Sequence, residues 1–497
     1  MIKKHIKIAP CISLLLIILA LSVIACTKER DSSNIPSELQ DTTAPVITLI
    51  GDNLTLINVG DAIDEQGATA TDDVDGDITA NIIVTTGDNT NSDGQYISTE
   101  PVTYTITYNV SDAAGNEAEE VTRTVTVSAL PIGNVIIVGA GAAGLAAAKR
   151  LEEEGVSYQI LEATDKFGGR IQKNENFADF PIDLGAEWIH ADKSLLNYLI
   201  NKPGTEPNVE TILYQPLDIK LAVDNNISQI PTQEMVDYYA DYITEYKFKN
   251  TTWYDFINEN FAQNIEQNII YNSKITNIDY TGNQVVLTTE NGTEYEANKV
   301  ILTVSVGVLR SNAITFNPSL PAEKIAAIED VEFLPGFKLF MKFSEQFYPD
   351  VIAIGELGGE KSYYDVAYGK DAQDHVLGLL AIGNSTEEYY ALGDSDAIVS
   401  AAIQELDGYF NGQASQYYLG SYIYEDWTQQ AYTQGTWTSD FEASSDDLNA
   451  SLDDKVYFAG ETYNVYGFMP VQGSYIIRGS VQSAILSGYD VVDSILE

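Results

Sequence analysis

The chain has 497 residues, too many for one compact core, so two or more domains are expected. With 44% apolar and 20% charged residues it is not a disordered polypeptide. Its 26 Lys and Arg face 73 Asp and Glu, a net charge of −47 that repels phosphate backbones and excludes nucleic acid as a partner.

Met1 to Lys7 is basic, and Ile8 to Ala25 is an apolar run broken by Pro10, Ser13 and Ser22. That order is a secretory leader, short for a membrane span. The leader ends in Val23-Ile-Ala-Cys26, which resembles the lipobox of bacterial lipoproteins. The resemblance implies cleavage after residue 25 and acylation of Cys26. The expected product is an exported bacterial lipoprotein, anchored in the outer membrane on its periplasmic or cell-surface face. Cys11 is the only other cysteine and leaves with the leader, so neither a disulfide nor a cysteine metal site is expected. Residues 26–40 are polar and aperiodic, a flexible tether.

Over 41–128 short apolar strands alternate with Gly, Asn and Asp turns. Pro45–Ile50, Leu54–Ile57, Asn81–Thr85, Val102–Val110 and Val121–Val127 read as strands. In Val102–Val110 one face carries Val102, Tyr104, Ile106, Tyr108 and Val110, and period-two strands at this spacing predict a small β-sandwich. Asp41-Thr-Thr-Ala-Pro45, Asp72-Asp-Val-Asp-Gly-Asp-Ile-Thr79 and Val110-Ser-Asp-Ala-Ala-Gly-Asn116 resemble the Ig-like repeat of bacterial surface proteins. By that likeness the module spaces the protein from the surface or contacts other surface components. The acids Asp72, Asp73, Asp75 and Asp77 offer oxygen ligands for calcium, but they lack the full spacing of a helix-loop-helix site and Asp-Gly is also a hairpin turn; the turn is the favoured reading and no metal site is expected.

After a short linker, Val135–Val138 reads as a buried strand, followed by Gly139-Ala-Gly-Ala-Ala-Gly144 and a helix running to about Glu154, stopped by Gly155. A second strand, Val156–Leu161, leads to Glu162. Glycines let a backbone approach a pyrophosphate, the helix N-terminus offers free N–H groups, and Glu162 is placed to accept from a ribose. The pattern predicts a dinucleotide site, either NAD or FAD.

Asp165-Lys-Phe-Gly-Gly-Arg170 and Val456-Tyr-Phe-Ala-Gly-Glu-Thr462 decide between them. With these, residues 132–497 resemble the flavin-dependent amine oxidases, which include monoamine and polyamine oxidases and histone lysine demethylases. Phe180–His190, Asn272–Asp279, Val300–Leu309, Phe316–Pro321 and Gly336–Phe343 continue the likeness in order. The resemblance implies a multidomain protein. An Ig-like β-sandwich precedes an α/β, Rossmann-type FAD-binding domain (about 132–190, 265–310 and 453–497). This domain is interleaved with an α+β substrate domain (about 191–264 and 311–452). By the same likeness FAD is met by Gly139, Gly141, Ala143, Gly144, Glu162, Gly169, Arg170, Gly185, Ala186, Glu187, Trp188, Ile275, Gly460, Glu461 and Val471. Thr436 stands where monoamine oxidases carry the FAD-linked cysteine, so FAD is expected to be non-covalent.

The implied reaction takes a hydride equivalent from the carbon bearing a neutral amine to the flavin; the imine hydrolyses and O2 becomes peroxide. Lys338 occupies the family's position for a lysine that holds water at the flavin, while Lys342 reads as an exposed strand lysine. Trp437 resembles one aromatic wall of the substrate cage. Opposite it, Pro470 stands where a monoamine oxidase has tyrosine, leaving Tyr466 or Phe468. His190 is expected either to recognise the substrate's cationic nitrogens or to be structural, and Glu187 either to supply a charge or to form an ion pair. Met235–Lys247 shows a helical, acidic, tyrosine-rich pattern in a region shorter than the family's substrate domain. An L-amino-acid oxidase of the same superfamily and a non-catalytic flavin-binding surface protein are the alternatives.

Overall fold

The computed structural model describes residues 41–51, 53–58, 66–86, 102–128, 133–200, 208–223, 226–241, 244–355, 361–439, 446–463 and 478–497. The expectations for Cys26, Tyr466, Phe468, Pro470 and Val471 lie outside these residues. The chain divides into two compact units, Met1–Leu130 and Pro131–Glu497.

The first unit has two sheets. One orders Val46–Leu49, Ala68–Asp72 and Gly76–Asp77; the other orders Leu54–Asn58, Val121–Ser128, Val102–Asn109 and Ile83–Thr85. Alternation along Val102–Asn109 buries Ile106 and Tyr108, which join Ile47, Ala70, Val110 and Val125 in the core. The strand Ala68–Asp72 has no counterpart in the sequence reading. Alanine and threonine alternate there, and Ala68 and Ala70 are buried although their side chains are too small to give a strong apolar signal.

In the second unit a five-stranded sheet, parallel throughout, runs Ile269–Ile270, Tyr158–Leu161, Val135–Val138, Lys299–Leu302 and Val456–Phe458. Val135–Val138 is buried on both faces, as a central parallel strand requires. Helices Ala142–Glu153 and Val481–Leu496 pack closely together, and a Cβ at Gly488 would stand 2.3 Å from the Ala143 carbonyl oxygen. A separate seven-stranded mixed sheet places Gly336–Phe343 between His375–Ile382 and Tyr418–Asp426. Phe337, Leu339, Met341 and Phe343 enter one core cluster; Lys338, Phe340 and Lys342 take the other face.

One local expectation is corrected. The helix in the tyrosine-rich stretch is Thr232–Asp241, and Tyr246–Phe248 is a strand between Trp188–Ile189 and Thr211–Leu213. Pairing with two strands overrides the local helical pattern and buries Lys247.

Candidate active site

The glycine turn is built by close approach. Gly139 has φ +107°, and a Cβ at Gly144 would lie 2.0 Å from the Gly139 oxygen, so the helix can begin hard against the strand only without a side chain there. Gly141 is the N-cap in extended conformation, with no side-chain cap, and a Cβ on it would meet nothing within 4 Å. Among the described residues no side chain caps the first-turn N–H groups of this helix, and open space lies beside them. Glu162 Oε2 accepts from Ala140 N at 2.7 Å, and Oε1 from Thr164 N at 2.9 Å and Thr164 Oγ1 at 2.8 Å. A carboxylate has about four acceptor sites, so capacity remains for a ligand hydroxyl.

The Gly168-Gly169-Arg170 turn lies against this one: Gly168 N donates to Ala140 O at 2.8 Å. Arg170 Nη1 donates to the Thr436 carbonyl and reaches Glu461 Oε1 at 3.2 Å. Glu461 also accepts from Thr438 N at 3.3 Å, which ties the C-terminal Ala-Gly-Glu segment to the strand bearing Trp437. These pieces border a cavity of about 660 Å³. Gly139, Gly141, Ala143, Glu162, Gly169, Arg170, Gly185, Ala186, Glu187, Trp188, Ile275, Gly460 and Glu461 all line it, as do Lys338, Trp437 and His190. Gly144 stands behind the turn rather than on the wall.

Lys338 is buried, and its Nζ lies 2.7 Å from Glu187 Oε2 and 4.9 Å from the centre of the Trp188 ring. Glu187 Oε1 meets a second ammonium, Lys247 Nζ, at 2.5 Å, while Tyr364 OH donates to Oε2 at 2.8 Å. Burial pushes the Glu187 carboxyl up, but Lys247 and Lys338 overcome it and hold the group down at about 2. Of the two expectations for Glu187 the ion pair is the one observed. Lys342 is not exposed but half-buried, 2.7 Å from Asp374 Oδ2. Asp183, behind Glu187, is forced well above the ordinary carboxylate range by burial and by the Glu187 charge, against Lys370 and Lys338.

Further along the cavity His190 Nδ1 lies 2.7 Å from Glu245 Oε1. Met235, Ile219, Tyr214, Tyr238 and Tyr239 supply an apolar and aromatic wall there. Trp437 is half-buried, and its Nε1 is buried with no partner among the described residues; Trp427 is buried, and its Nε1 donates to Leu184 O at 3.2 Å.

The family model for flavin containing amine oxidoreductase matches residues 142–244 and 232–496. The chain belongs to this family. Residues 47–127 match the Ig-like domain of bacterial surface proteins. Polyamine oxidase 4 of Oryza sativa subsp. japonica is 25% identical over 426 residues, covering 69% of this chain and 86% of its own. Lysine-specific histone demethylase 1B of Mus musculus is 23% identical, covering 69% and 52%. Among solved structures, a putrescine oxidase variant from a redesign of cofactor binding superposes with a TM-score of 0.58 at 14% identity. Cyclohexylamine oxidase from Brevibacterium oxydans gives 0.57 at 18%; each match covers 73% of this chain and 98% of the other. These likenesses show the amine oxidase fold.

FAD is the cofactor of this amine oxidase family, and the residues fit it. The uncapped helix start and the open Gly141 suit a diphosphate, the spare acceptor of Glu162 suits a ribose, and the unpartnered Trp437 Nε1 offers a donor to a ligand. Lys247, Tyr364 and Glu245 escaped the sequence reading. Lys247 sits in what looked like the tail of a helix, and neither Tyr364 nor Glu245 stands in a motif with a fixed spacing from the glycine turn.

Proposed function

We propose that the protein oxidises a di- or polyamine to an imine, which water converts to an aldehyde plus ammonia or a smaller amine, with O2 reduced to H2O2. The observation that carries this reading is Lys338, desolvated in the same cavity as the glycine turn and Trp437. FAD, when bound, supplies the acceptor for the hydride equivalent. The chain's own groups orient the amine and exclude bulk water. Trp437 offers a flat face that restricts the reacting nitrogen, and Lys338 Nζ places a positive charge where electrons arrive and O2 is reduced. The arrangement of an Ig-like β-sandwich before a Rossmann-type FAD domain interleaved with a substrate domain is part of this reading.

The substrate class comes from the far end of the cavity. Glu245, tied to His190, lines this space together with Tyr214, Tyr238 and Tyr239. That suits a second cationic nitrogen on an aliphatic chain, and the polyamine and putrescine oxidases among the relatives agree. An amino-acid substrate would need a cation for its carboxylate, and Arg170, the arginine on the wall, is engaged with Thr436 and Glu461. A panel of diamines, polyamines, aryl amines and amino acids, read by peroxide release, tests the assignment. Glu245→Gln is expected to raise KM for a diamine about 10-fold and leave a monoamine unchanged, the loss of a charged hydrogen bond. Equal effects on both would remove the second-cation site.

Export and anchoring through acylated Cys26 belong to the same proposal. Wild type should partition into detergent and Cys26→Ser should not; equal partitioning would dismiss the anchor.

A further inference from the structure

The Ig-like unit holds a cluster independent of the flavin site. Three stretches distant in sequence meet at one place in its fold. Asn116 Nδ2 donates to Asp41 O at 3.3 Å and Asp112 Oδ2 at 2.6 Å; Ala113 N donates to Asp75 Oδ2 at 2.7 Å; Thr43 Oγ1 lies 3.4 Å from Asp73 Oδ2. At this junction Asp41, Asp72 and Asp73 each bring one carboxylate oxygen within 4.8 Å of the other two.

Hydrogen bonding within the turns does not account for these carboxylates. Asp72 is only 9% exposed. Its Oδ1 accepts from Val74 N at 2.9 Å and Asp75 N at 2.8 Å, as a hairpin turn requires, but its Oδ2 is buried with no partner among the described residues. Asp41 repeats the pattern: Oδ1 accepts from Thr43 N at 3.0 Å, and Oδ2 is buried and has no partner among the described residues. A buried anionic oxygen without a donor is costly, and two beside a third carboxylate are costlier. A bound cation offsets both terms.

We propose that Asp41, Asp72 and Asp73 form a calcium site. The donor set is all carboxylate oxygen, which selects a hard cation over zinc or copper. Oxygens on opposite sides of Ca²⁺, each at about 2.4 Å, stand about 4.8 Å apart, which the observed spacing permits, and Ca²⁺ tolerates irregular geometry completed by water where Mg²⁺ does not. The ion links the segment before the first strand to the hairpin between Ala68–Asp72 and Gly76–Asp77. It therefore stabilises this unit and leaves the flavin cavity untouched. The reading of this acid cluster as a plain turn is thus incomplete: one oxygen of Asp72 makes the turn and the other awaits a cation.

The test is isothermal titration of the chelator-stripped full-length protein with CaCl2 and, separately, MgCl2. Expected are one Ca²⁺ per chain at a Kd of about 10⁻⁴–10⁻³ M, as in extracellular modules, and much weaker Mg²⁺ binding. Asp72→Asn keeps an acceptor for the two turn N–H groups, and Asp73→Asn touches no backbone N–H. Each should weaken calcium binding about 10-fold or more, while unfolding in calcium-free buffer stays near wild type. Absence of calcium heat in the wild type, equal magnesium binding, or undiminished binding in the folded Asp73→Asn variant would each overturn the site.

Discussion

Glu187 carries two lysines and a tyrosine on one buried carboxylate. Such a group is strongly held, and both lysines share its one charge. Lys338→Met should slow reoxidation of the reduced protein by O2 about 10²-fold, the scale of losing one positioned electrostatic donor. FAD should stay bound, because Glu162 and the glycine turn are untouched; stopped-flow mixing with O2 measures it, and an unchanged rate would remove Lys338 from the chemistry. Asp183 supplies a pH test. Its folded carboxyl binds a proton that the unfolded chain releases near 3.8, so its contribution to stability falls as pH rises above that value. Asp183→Asn cannot ionise, and Asn keeps an acceptor for Trp253 N, which lies 3.0 Å from Asp183 Oδ1. Urea unfolding should show the variant gaining on wild type between acid and alkaline pH; a constant difference would contradict the buried proton. Lys338 and His190 could be singled out from sequence because they sit in motifs of recognisable order. Lys247 could not, because its burial depends on pairing with two strands that flank it only in three dimensions.

At the scale of elements, the strand–turn–helix from Val135 to Glu153 is local, and its signals are local too: a fully apolar strand, a glycine turn and Gly155 at φ +69° ending the helix. That is why it was legible with boundaries close to those observed. The same locality makes it brittle. Gly144→Ala places a methyl against the Gly139 carbonyl, so helix and strand must separate, at roughly 1–3 kcal/mol by the usual cost of overpacking. The purified variant should be colourless or poorly loaded with flavin and should melt lower. Full flavin content at wild-type stability would contradict the close approach. The strand Ala68–Asp72 and the strand Tyr246–Phe248 were not legible for one shared reason: tertiary pairing, rather than their own residues, selects the extended form.

For the whole molecule, the acidity and the two units divide the labour. A net charge of −47 draws cationic amines toward the protein and weakens as salt rises, so kcat/KM for a polyamine should fall between low and physiological ionic strength more than for an uncharged inhibitor's binding. The flavin unit carries the cavity within its own fold. On the proposed function this cavity sets an amine's carbon–nitrogen bond before FAD and beside Lys338. The most direct measurement is the visible flavin spectrum of the full-length holoprotein under nitrogen as a diamine or polyamine is added, followed by oxygen. Bleaching on amine, recovery on oxygen, and one peroxide per amine consumed are the expected results. A yellow protein that no amine bleaches would contradict the proposed function.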